Sequence, residues 1–270
     1  MVGSVLAEET EEQRLTVESA RPQIVVETFN GHIGVSSGSD GTVEIRTRRR
    51  GSGNSQSEAD ADLDKVVTSV EQVGDRVIIT ARRVDRPIRL GESGADFELV
   101  APPGSSLELR SSNGRIQSGN IEGSIVARSS NGAITIRGGE DIDAETTNAP
   151  LTVSAASGEL DLRTSSGAID IVAADEVVVS ARTTNGSISF SGGLADGDHV
   201  LHTTNAGISL TLPADSSFSI TGTTTNAAVR TDFDELTVDV ASISGTVGDD
   251  PGATIRADTI NGVLSVVKGR

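Results

Sequence analysis

Cysteine, tryptophan and tyrosine are absent from this chain of 270 residues, and only 2% of its residues are aromatic. The absence of cysteine excludes disulfide bonds and thiolate metal sites. Because large aromatic side chains are so few, we expect a core of isoleucine, valine, leucine and alanine. Such short side chains suit a narrow interior that is filled by inward-facing aliphatic rows.

Long apolar runs are also absent, since no stretch approaches the ~20 residues that a transmembrane helix needs. We therefore expect no membrane span. The short apolar segment Val2–Ala7 has no basic residue before it and is too little for a complete signal peptide. Two expectations follow: a cytoplasmic protein, or a numbering that begins after a processed leader.

Basic residues are scarce relative to acidic ones, 22 against 39, and the formal net charge is -17. Lysine contributes only Lys65 and Lys268. A surface of this charge should repel nucleic acid and anionic membranes, and it should favour solubility. We expect no nucleic-acid partner.

Ten near-copies of one short phrase run through the chain. The first position of the phrase is Thr or Ser, the second is one further residue, the third is Asn and the fourth is Gly or Ala. Apolar and polar positions then alternate. The copies begin at Thr28, Ser111, Ser129, Thr146, Thr164, Thr183, Thr203, Thr224, Ser242 and Thr259. From Asn113 onward the third position recurs at intervals of 17 to 21 residues. A period of this length indicates a stacked repeat architecture.

Each copy predicts a turn that is followed by a strand. Asn-Gly favours a turn because both residues adopt positive φ at little cost. Ile134 and Ile136 then alternate with Thr135, which is the period-2 pattern of a strand with one buried face. A second short strand, such as Val177–Arg182, precedes the next turn, so each repeat holds about two strands and two turns.

Two arrangements fit this pattern: successive antiparallel hairpins, or a parallel β-solenoid in which each repeat is one coil. We favour an all-β fold with a parallel β-solenoid (β-helix) of about 18–20 residues per coil. A near-constant coil length places each Asn over the previous one, and stacked Asn side chains can form hydrogen-bond ladders. The residues of this structural ladder are Asn113, Asn131, Asn148, Asn185, Asn205, Asn226 and Asn261. The alternative interpretation of the same row is a polar binding strip.

The region before the second copy departs from the repeat and divides the chain. Residues 1–12 are predicted to be an acidic, solvated lead-in. Residues 13–104 are predicted to form an antiparallel or mixed β cap with the first repeat, a loop over Gly51–Asp64 and an inserted hairpin. Residues 105–270 are predicted to form the solenoid, with about nine coils. A cap is expected because a bare solenoid end exposes unpaired backbone groups.

Two segments, Asp96–Gly104 and Leu107–Ile116, carry a family likeness together with the later copies of Thr-Thr-Asn-Gly followed by Ser-Ile-Ser. They resemble the putative adhesin-type β-strand repeat family, a bacterial and archaeal domain of unknown function related to adhesin head domains. The likeness runs from about Val25 to the C-terminus. It implies a β-solenoid, usually in exported or envelope-attached proteins, and no catalytic residues. An extracellular or cell-envelope location is therefore expected.

Three carboxylates that alternate in the predicted loop, Asp60, Asp62 and Asp64, are candidate calcium ligands. Counted from Asp60, an EF-hand needs a Gly at the sixth position and a Glu at the twelfth. The chain has Lys65 and Glu71 there. The glycine is missing, so calcium is a secondary expectation, and no other cofactor is expected.

Arginines of the predicted cap form the one basic concentration of the chain. They could bind an anionic polysaccharide, but salt bridges with local carboxylates are favoured. These residues are Arg46, Arg48, Arg49, Arg50, Arg82, Arg83, Arg86 and Arg89. His199 and His202 are three residues apart on a predicted strand, so they are expected on opposite faces, as surface histidines rather than a metal site.

These features predict a non-enzymatic cell-surface or extracellular scaffold that acts in adhesion or self-assembly. The last strand ends near the C-terminus with little charge and no following cap, so it is predicted to be an open edge for another copy. The predicted interface comprises Gly262, Val263, Leu264, Ser265, Val266 and Val267. The expected partners are other copies, as an oligomer or polymer through the solenoid ends, and a surface glycan or protein.

The alternative function is a carbohydrate- or calcium-binding module that uses loops of the cap. An enzyme is not expected, because the chain has no G-x-S-x-G elbow and only three histidines. Polysaccharide-degrading β-helices also use aromatic platforms and paired catalytic acids, and this chain lacks Trp and Tyr.

Overall fold

The computed structural model describes residues 4–85, 92–249 and 251–269. They are mostly β-strand with one short helix, so the predicted all-β class is confirmed. The chain divides into two compact units, Met1–Gly132 and Ala133–Arg270. No helix in the described ranges has the length and apolar character needed to cross a membrane. Arg86 and Arg89 of the predicted basic concentration lie outside the described residues.

The first unit contains two mixed sheets. Its elements are β1 (Val5–Thr16), β2 (Gln23–Thr28), β3 (Ile33–Ser37), β4 (Thr42–Gly53), α1 (Gln56–Leu63), β5 (Val66–Val73), β6 (Arg76–Arg83), β7 (Gly94–Ala101), β8 (Ser106–Ser111), β9 (Ile116–Ile121) and β10 (Ile125–Ser129). One sheet has the order β1-β4-β7-β3-β9 and the other β10-β8-β2-β6-β5. The pairs β1–β4, β4–β7 and β5–β6 are antiparallel, and the other pairs are parallel.

The strands of the second unit alternate between two sheets. They are β11 (Ile134–Gly138), β12 (Glu140–Thr146), β13 (Leu151–Ser154), β14 (Ser157–Arg163), β15 (Ile169–Val172), β16 (Val177–Arg182), β17 (Ile188–Ser191), β18 (Gly197–His202), β19 (Ile208–Leu212), β20 (Phe218–Thr223), β21 (Val229–Thr231), β22 (Thr237–Val238), β23 (Ser242–Val247), β24 (Ala253–Asp258) and β25 (Leu264–Lys268). One sheet has the order β11-β13-β15-β17-β19-β25-β21, and the other β12-β14-β16-β18-β24-β20-β23-β22.

Almost all pairs in the second unit are parallel, and only β23 pairs antiparallel, with β20 and β22. Strands that follow each other in the chain, from β11 to β21, lie in different sheets. Successive antiparallel hairpins, the other arrangement that the sequence allowed, therefore do not describe this unit.

The core consists of aliphatic columns that the parallel register creates. In β16, Val177, Val179 and Ala181 are buried, and Ser180 between them is partly exposed. Leu160 of β14 lies directly beside Val179. Because side chains alternate with period 2, each added strand extends the same buried columns. Complete burial of one such aliphatic side chain stabilises the fold by about 1.5–3 kcal/mol.

The last strands along the chain are not the last strands of the sheets. β24 lies between β18 and β20, and β25 lies between β19 and β21, with parallel pairing on both sides. The predicted open edge at Gly262–Val267 is therefore wrong, because Leu264–Lys268 pairs with β19 and Leu264–Val266 also pairs with β21. Over Leu264–Val266 the backbone groups that would have bound another copy are already occupied inside the sheet.

The edges of these two sheets are instead formed by β21 and β22, which are short. β21 has three residues and β22 has two. The acidic residues Asp232, Asp234 and Glu235 follow β21 and are exposed. Short and charged edges resist the addition of another strand. Beneath this end of the unit, Phe218 and Phe233 pack edge to face, with 5.2 Å between ring centroids.

The segment predicted as a loop, Gly51–Asp64, contains helix α1. Ser55 is its N-cap, and the Ser55 hydroxyl accepts a hydrogen bond from the Glu58 N–H. Ser55 and Glu58 have the spacing of a capping box, which is a sequence signal for a helix start. The scarcity of apolar residues hid this helix, because only Ala59 is buried.

Two predicted boundaries also differ from the structure. The acidic lead-in is not free chain, because Val5–Thr16 forms β1 and pairs along its whole length with β4. The compact units meet after Gly132 rather than at the predicted division after 104. The reason is pairing: β8 and β9, which follow residue 104, bind directly to β2 and β3 of the predicted cap.

The position of β25 predicts a large cost for truncating its core residue. Leu264 is fully buried, whereas its neighbour Val263 is 38% exposed. We expect Leu264→Ala to lower the free energy of unfolding by about 2–5 kcal/mol, and the control Val263→Ala to lower it by less than about 1 kcal/mol. Chemical denaturation measures both. Equal small effects would contradict a strand that is enclosed on both sides.

Candidate functional site

The first residue of most copies of the phrase is a buried Ser or Thr whose hydroxyl joins two neighbouring turns. The Thr183 hydroxyl donates to the Gly167 carbonyl at 3.0 Å and accepts from the Gly186 N–H at 3.3 Å. Thr164 makes the equivalent donation to the carbonyl of Ala149 at 3.1 Å. The same donation is made by Ser111, Ser129, Thr203, Thr224 and Thr259. These bonds satisfy carbonyls that would otherwise be buried without a partner.

Glycine occupies the turns for a reason other than the expected one. A Cβ atom on Gly186 would lie 1.7 Å from the carbonyl oxygen of Gly167, and one on Gly262 would lie 1.9 Å from that of Ala206. Neither glycine has positive φ, so the prediction from positive φ was wrong. The close approach of stacked turn backbones, rather than a left-handed conformation, requires glycine at these positions.

The predicted Asn ladder residues of the second unit lie on this turn edge. Asn205 Nδ2 donates to Asn185 Oδ1 at 2.7 Å, Asn261 Nδ2 to Asn205 Oδ1 at 2.8 Å, and Asn226 Nδ2 to Asn261 Oδ1 at 2.7 Å. The order along this chain of hydrogen bonds is 185, 205, 261 and 226, because the last copy of the phrase lies between the copies around Asn205 and Asn226. Asn148 also has an interaction partner. These amides therefore bind one another.

In the first unit, two further residues of the predicted ladder make the same contact. Asn131 Nδ2 donates to Asn113 Oδ1 at 2.8 Å. Asn113 Nδ2 in turn lies 3.5 Å from the Phe29 carbonyl oxygen, at the limit of a hydrogen bond. The first copy of the phrase is thus stacked against the second, although they are far apart in the sequence.

The outer face of one sheet in the second unit carries two rows of hydroxyl groups. In one row, Thr152, Asp170, Ser189, Ser209 and Ser265 lie side by side on successive strands. In the other row, Ser154, Val172, Ser191, Thr211 and Val267 do the same. We call the seven Ser and Thr residues of these rows the hydroxyl face. Neighbours within a row are ~4.8 Å apart, and the rows are separated by ~6.7 Å along each strand.

The hydroxyls of this face have no partner among the described residues. No hydrogen bond from or to a side chain of Thr152, Ser154, Ser189, Ser191, Ser209, Thr211 or Ser265 occurs there. Asp170 lies within the first row, and two arginines flank the rows: Arg230 beside Ser265 and Arg137 beside Ser154. The donors and acceptors of the seven hydroxyls are available to a ligand.

The outer face of the other sheet carries basic residues in register. Arg163, Arg182 and His202 lie side by side on β14, β16 and β18, and we call them the cationic row. Arg163 pairs with Asp161 at 2.5 Å. Arg182 binds only the Ser180 hydroxyl, at 2.5 Å, and has no carboxylate within salt-bridge distance in the described chain.

A shallow groove of about 300 Å³ runs beside the cationic row. Besides Arg163, Arg182 and His202, it is lined by Glu145 and by residues of the turns, including Ser165 and Thr184. Both of these residues are exposed, and their hydroxyls make no hydrogen bond within the described residues. The sequence contained the signal for this site, since Arg163, Arg182 and His202 each directly precede the Thr that opens a copy of the phrase.

Five of the six described arginines in the basic concentration pair with carboxylates, as the favoured interpretation predicted, whereas Arg82 is exposed and has no ion pair in the described chain. Asp96 accepts from Arg48 at 2.7 Å and Arg50 at 3.0 Å, and also from the His32 N–H at 2.9 Å. Burial alone would raise the pKa of Asp96, but the hydrogen bonds from His32 and Arg48 and the two positive charges lower it. Arg49 pairs with Glu9 of β1. These arginines hold the sheet together rather than face solvent unpaired.

The three predicted calcium ligands do not converge. They lie on α1 and at its C-cap Asp64, and Asp60 accepts from Gln56 at 2.8 Å. Asp62 pairs with Arg83 and also accepts from the Ser52 N–H and the Ser93 hydroxyl. In the described ranges no group of three or more histidine, aspartate or glutamate side chains is placed to hold a metal ion.

The two spaced histidines do lie on opposite faces, but only His202 is a surface residue. His199 is 1% exposed. Its Nδ1 accepts from the Val179 N–H at 3.2 Å, and its Nε2 donates to the Ala195 carbonyl at 2.9 Å. Burial lowers the pKa of His199, which keeps the ring neutral.

Comparison with known proteins gives a likeness of fold only. No protein-family model matches the chain, and no curated protein matches it. A crystal structure of a "putative adhesin" from Bacteroides fragilis matches with a TM-score of 0.52 at 10% identity, over 95% of this chain and 96% of that one.

Two structures from Parabacteroides distasonis have lower scores. One, a "putative adhesin", has a TM-score of 0.41 at 11% identity and covers 96% of this chain and 97% of its own. The other, a "putative lipid binding protein", has a TM-score of 0.38 at 12% identity, with 97% of each chain covered.

The chain of amide hydrogen bonds predicts unequal effects of two matched substitutions. Asn205→Ala removes the bonds to both Asn185 and Asn261, whereas Asn226→Ala removes only the bond to Asn261. A hydrogen bond contributes about 0.5–1.5 kcal/mol, and these exposed ones should lie at the lower end. We expect the loss in unfolding free energy to be larger for Asn205→Ala. A larger loss for Asn226→Ala in urea denaturation would contradict this order.

The Asp62–Arg83 pair predicts a stability that depends on acid pH. Burial acts to raise the pKa of Asp62, but hydrogen bonds from Arg83, Ser93 and Ser52 outweigh it and lower the pKa from 3.8 to about 2. A carboxyl whose pKa is lower in the folded state stabilises above its unfolded pKa, and this contribution is lost as the pH falls from about 4 towards 2. Asp62→Asn should remove it.

We expect the difference in melting temperature between the wild type and Asp62→Asn to be constant near neutral pH and to shrink below pH about 4. Asp60→Asn, on the same helix, is the matched control, because its carboxylate contacts only Gln56. A wild-type minus Asp62→Asn difference that does not depend on pH would refute the ion-pair contribution.

Proposed function

We propose that this protein is a non-enzymatic adhesion module that acts at the cell surface or outside the cell. In this proposal the alternation of strands between two sheets is the path of a parallel β-solenoid, and the hydroxyl face is the contact surface. The observation that carries the proposal is that its seven hydroxyls stand in register on paired strands without a partner in the described chain.

The geometry of this face suits a broad, repeated contact better than catalysis. Ser and Thr side chains on paired strands lose little conformational entropy when they bind, so weak hydrogen bonds can add along the rows. Catalysis needs different groups that converge in a cleft, with a base within hydrogen-bond reach of a nucleophile. No histidine of the described chain hydrogen-bonds to a hydroxyl group.

The fold likeness supports the same proposal. The Bacteroides fragilis protein with the related fold is described as a "putative adhesin", and an adhesin acts outside the cytoplasm. The likeness concerns the fold alone, so the adhesion itself is carried by the hydroxyl face and the binding experiment.

Association through the last strand is not part of this proposal, because β25 is paired on both sides. An oligomer through another edge strand, such as β1, stays a prediction. The alternative of a calcium module in the cap has no support from Asp62, which is bound to Arg83, Ser52 and Ser93.

A binding experiment with neutral polysaccharides tests the contact surface. Beads coated with the protein are washed over films of amylose, cellulose and dextran, and retention is measured. We expect retention on at least one film, and the double variant Ser189→Arg with Ser209→Arg to lower it about tenfold or more. Several hydrogen bonds of about 0.5–1.5 kcal/mol each would be lost.

Thr221→Arg is the matched control, because Thr221 is exposed on β20 in the other sheet. Its retention should equal that of the wild type, and melting curves should show that all variants are folded. Equal retention of the double variant and the wild type would refute the role of the hydroxyl face. Retention on none of the films would refute adhesion to neutral polysaccharide through this face.

A further inference from the structure

We propose that the cationic row, Arg163, Arg182 and His202, together with the hydroxyls of Ser165 and Thr184, binds an oxyanion carried on a sugar chain, as a sulfate ester or a uronate. This site lies in the other sheet of the second unit, not in the sheet with the hydroxyl face. It therefore does not depend on the adhesion proposed for that face.

The first argument is the unfavourable placement of like charges. Arg163 and Arg182 are direct neighbours on paired strands, and His202 is the next neighbour. Carboxylates lie only at the ends of the row, Glu145 beside Arg163 and Asp258 beside His202. Like charges that lie directly opposite each other across a strand pair are destabilising. The chain has 39 acidic and 22 basic residues, so its composition did not force arginine to lie beside arginine. A bound anion would remove the repulsion.

The second argument is that Arg182 lacks a carboxylate partner. Several other arginines do have one: Arg48 and Arg50 share Asp96, and Arg256 pairs with Asp258. In Arg182 only Nη1 is engaged, by the neutral Ser180 hydroxyl. The remaining guanidinium N–H groups form the planar fork that binds two oxygens of a sulfate or carboxylate at once.

The third argument is the match between the groove and a sugar. Ser165 and Thr184 line the same groove as the cations, and their free hydroxyls suit the hydroxyls and ring oxygen of a sugar. The row spans three strands, or ~10 Å, which exceeds one small anion. Charges more than ~10 Å away are largely screened at 0.1 M salt, so the net charge of -17 does not prevent local binding.

Binding of the whole chain to dextran sulfate and to alginate tests this inference, with calorimetry or affinity retention as the measurement. The first probe carries sulfate esters and the second uronates, and unmodified dextran measures any contribution of the hydroxyl face. We expect tighter binding to at least one anionic probe than to dextran. Arg182→Gln should weaken that binding about tenfold, which corresponds to one lost charge-assisted contact, and should reduce its salt dependence.

Arg137→Gln is the matched control, because Arg137 is exposed on β11 in the other sheet of the same unit. It should bind as the wild type does. An equal loss in Arg137→Gln and Arg182→Gln would mean unspecific charge attraction and would overturn the site. Unchanged binding of Arg182→Gln would also overturn it, as would equal affinity for the anionic probes and for dextran.

Two further experiments are needed. One distinguishes a free anion from an anion carried on a sugar chain, and the other distinguishes the cationic row from the hydroxyl face. If sodium sulfate competes as well as dextran sulfate at equal sulfate concentration, the ligand is a free anion, and the sugar part of the inference is wrong. The double variant Ser189→Arg with Ser209→Arg should keep its binding to the anionic probe, and Arg182→Gln should keep its retention on neutral films. Failure of one surface is thereby distinguished from failure of the other.

Discussion

The stacking of turn backbones at a distance too short for a Cβ atom is the constraint on which the rest of the second unit depends. Gly186 lies over Gly167 in this way, and the Thr183 hydroxyl bridges the two turns. Once a turn is fixed, the strand that follows has no freedom of register. Ile188 must then face the core, and Ser189 must face outward, because side chains alternate with period 2.

Fixed register turns any outward residue type that recurs in the sequence into a row on the surface. In the amide row the side chains bond one another, and Asn205 and Asn261 each donate to one Asn and accept from the next, whereas the side chains of the hydroxyl rows do not bond one another. In the cationic row Arg163 and Arg182 lie directly beside each other, and of these two only Arg163 has a carboxylate in an ion pair, that of Asp161. A row whose side chains form hydrogen bonds with one another holds the fold together, whereas a row whose side chains lack such bonds is available to a ligand.

Much of this could be predicted from the sequence, for physical reasons that act locally. The alternation around Ile134 and Ile136 predicts a strand, and Val73-Gly74-Asp75 predicts a hairpin turn. Neither prediction depends on the sheet to which the segment belongs. The helix after Ser55 was missed although its cap was readable, because it buries little apolar surface. The cationic row was also missed, because Arg163, Arg182 and His202 are distant in sequence and become a group only through strand pairing.

The sequence by itself determined most of the strands, the turns and the aliphatic core, since each follows from a short-range pattern, but it did not indicate β1. Only the tertiary structure decided the order of the strands in the sheets. The copies of the phrase in the second unit present equivalent Asn, Gly and aliphatic positions, so no local signal distinguishes one stacking order from another. The copy around Asn261 lies between those of Asn205 and Asn226, and a strand that looks terminal in the sequence is enclosed in the fold.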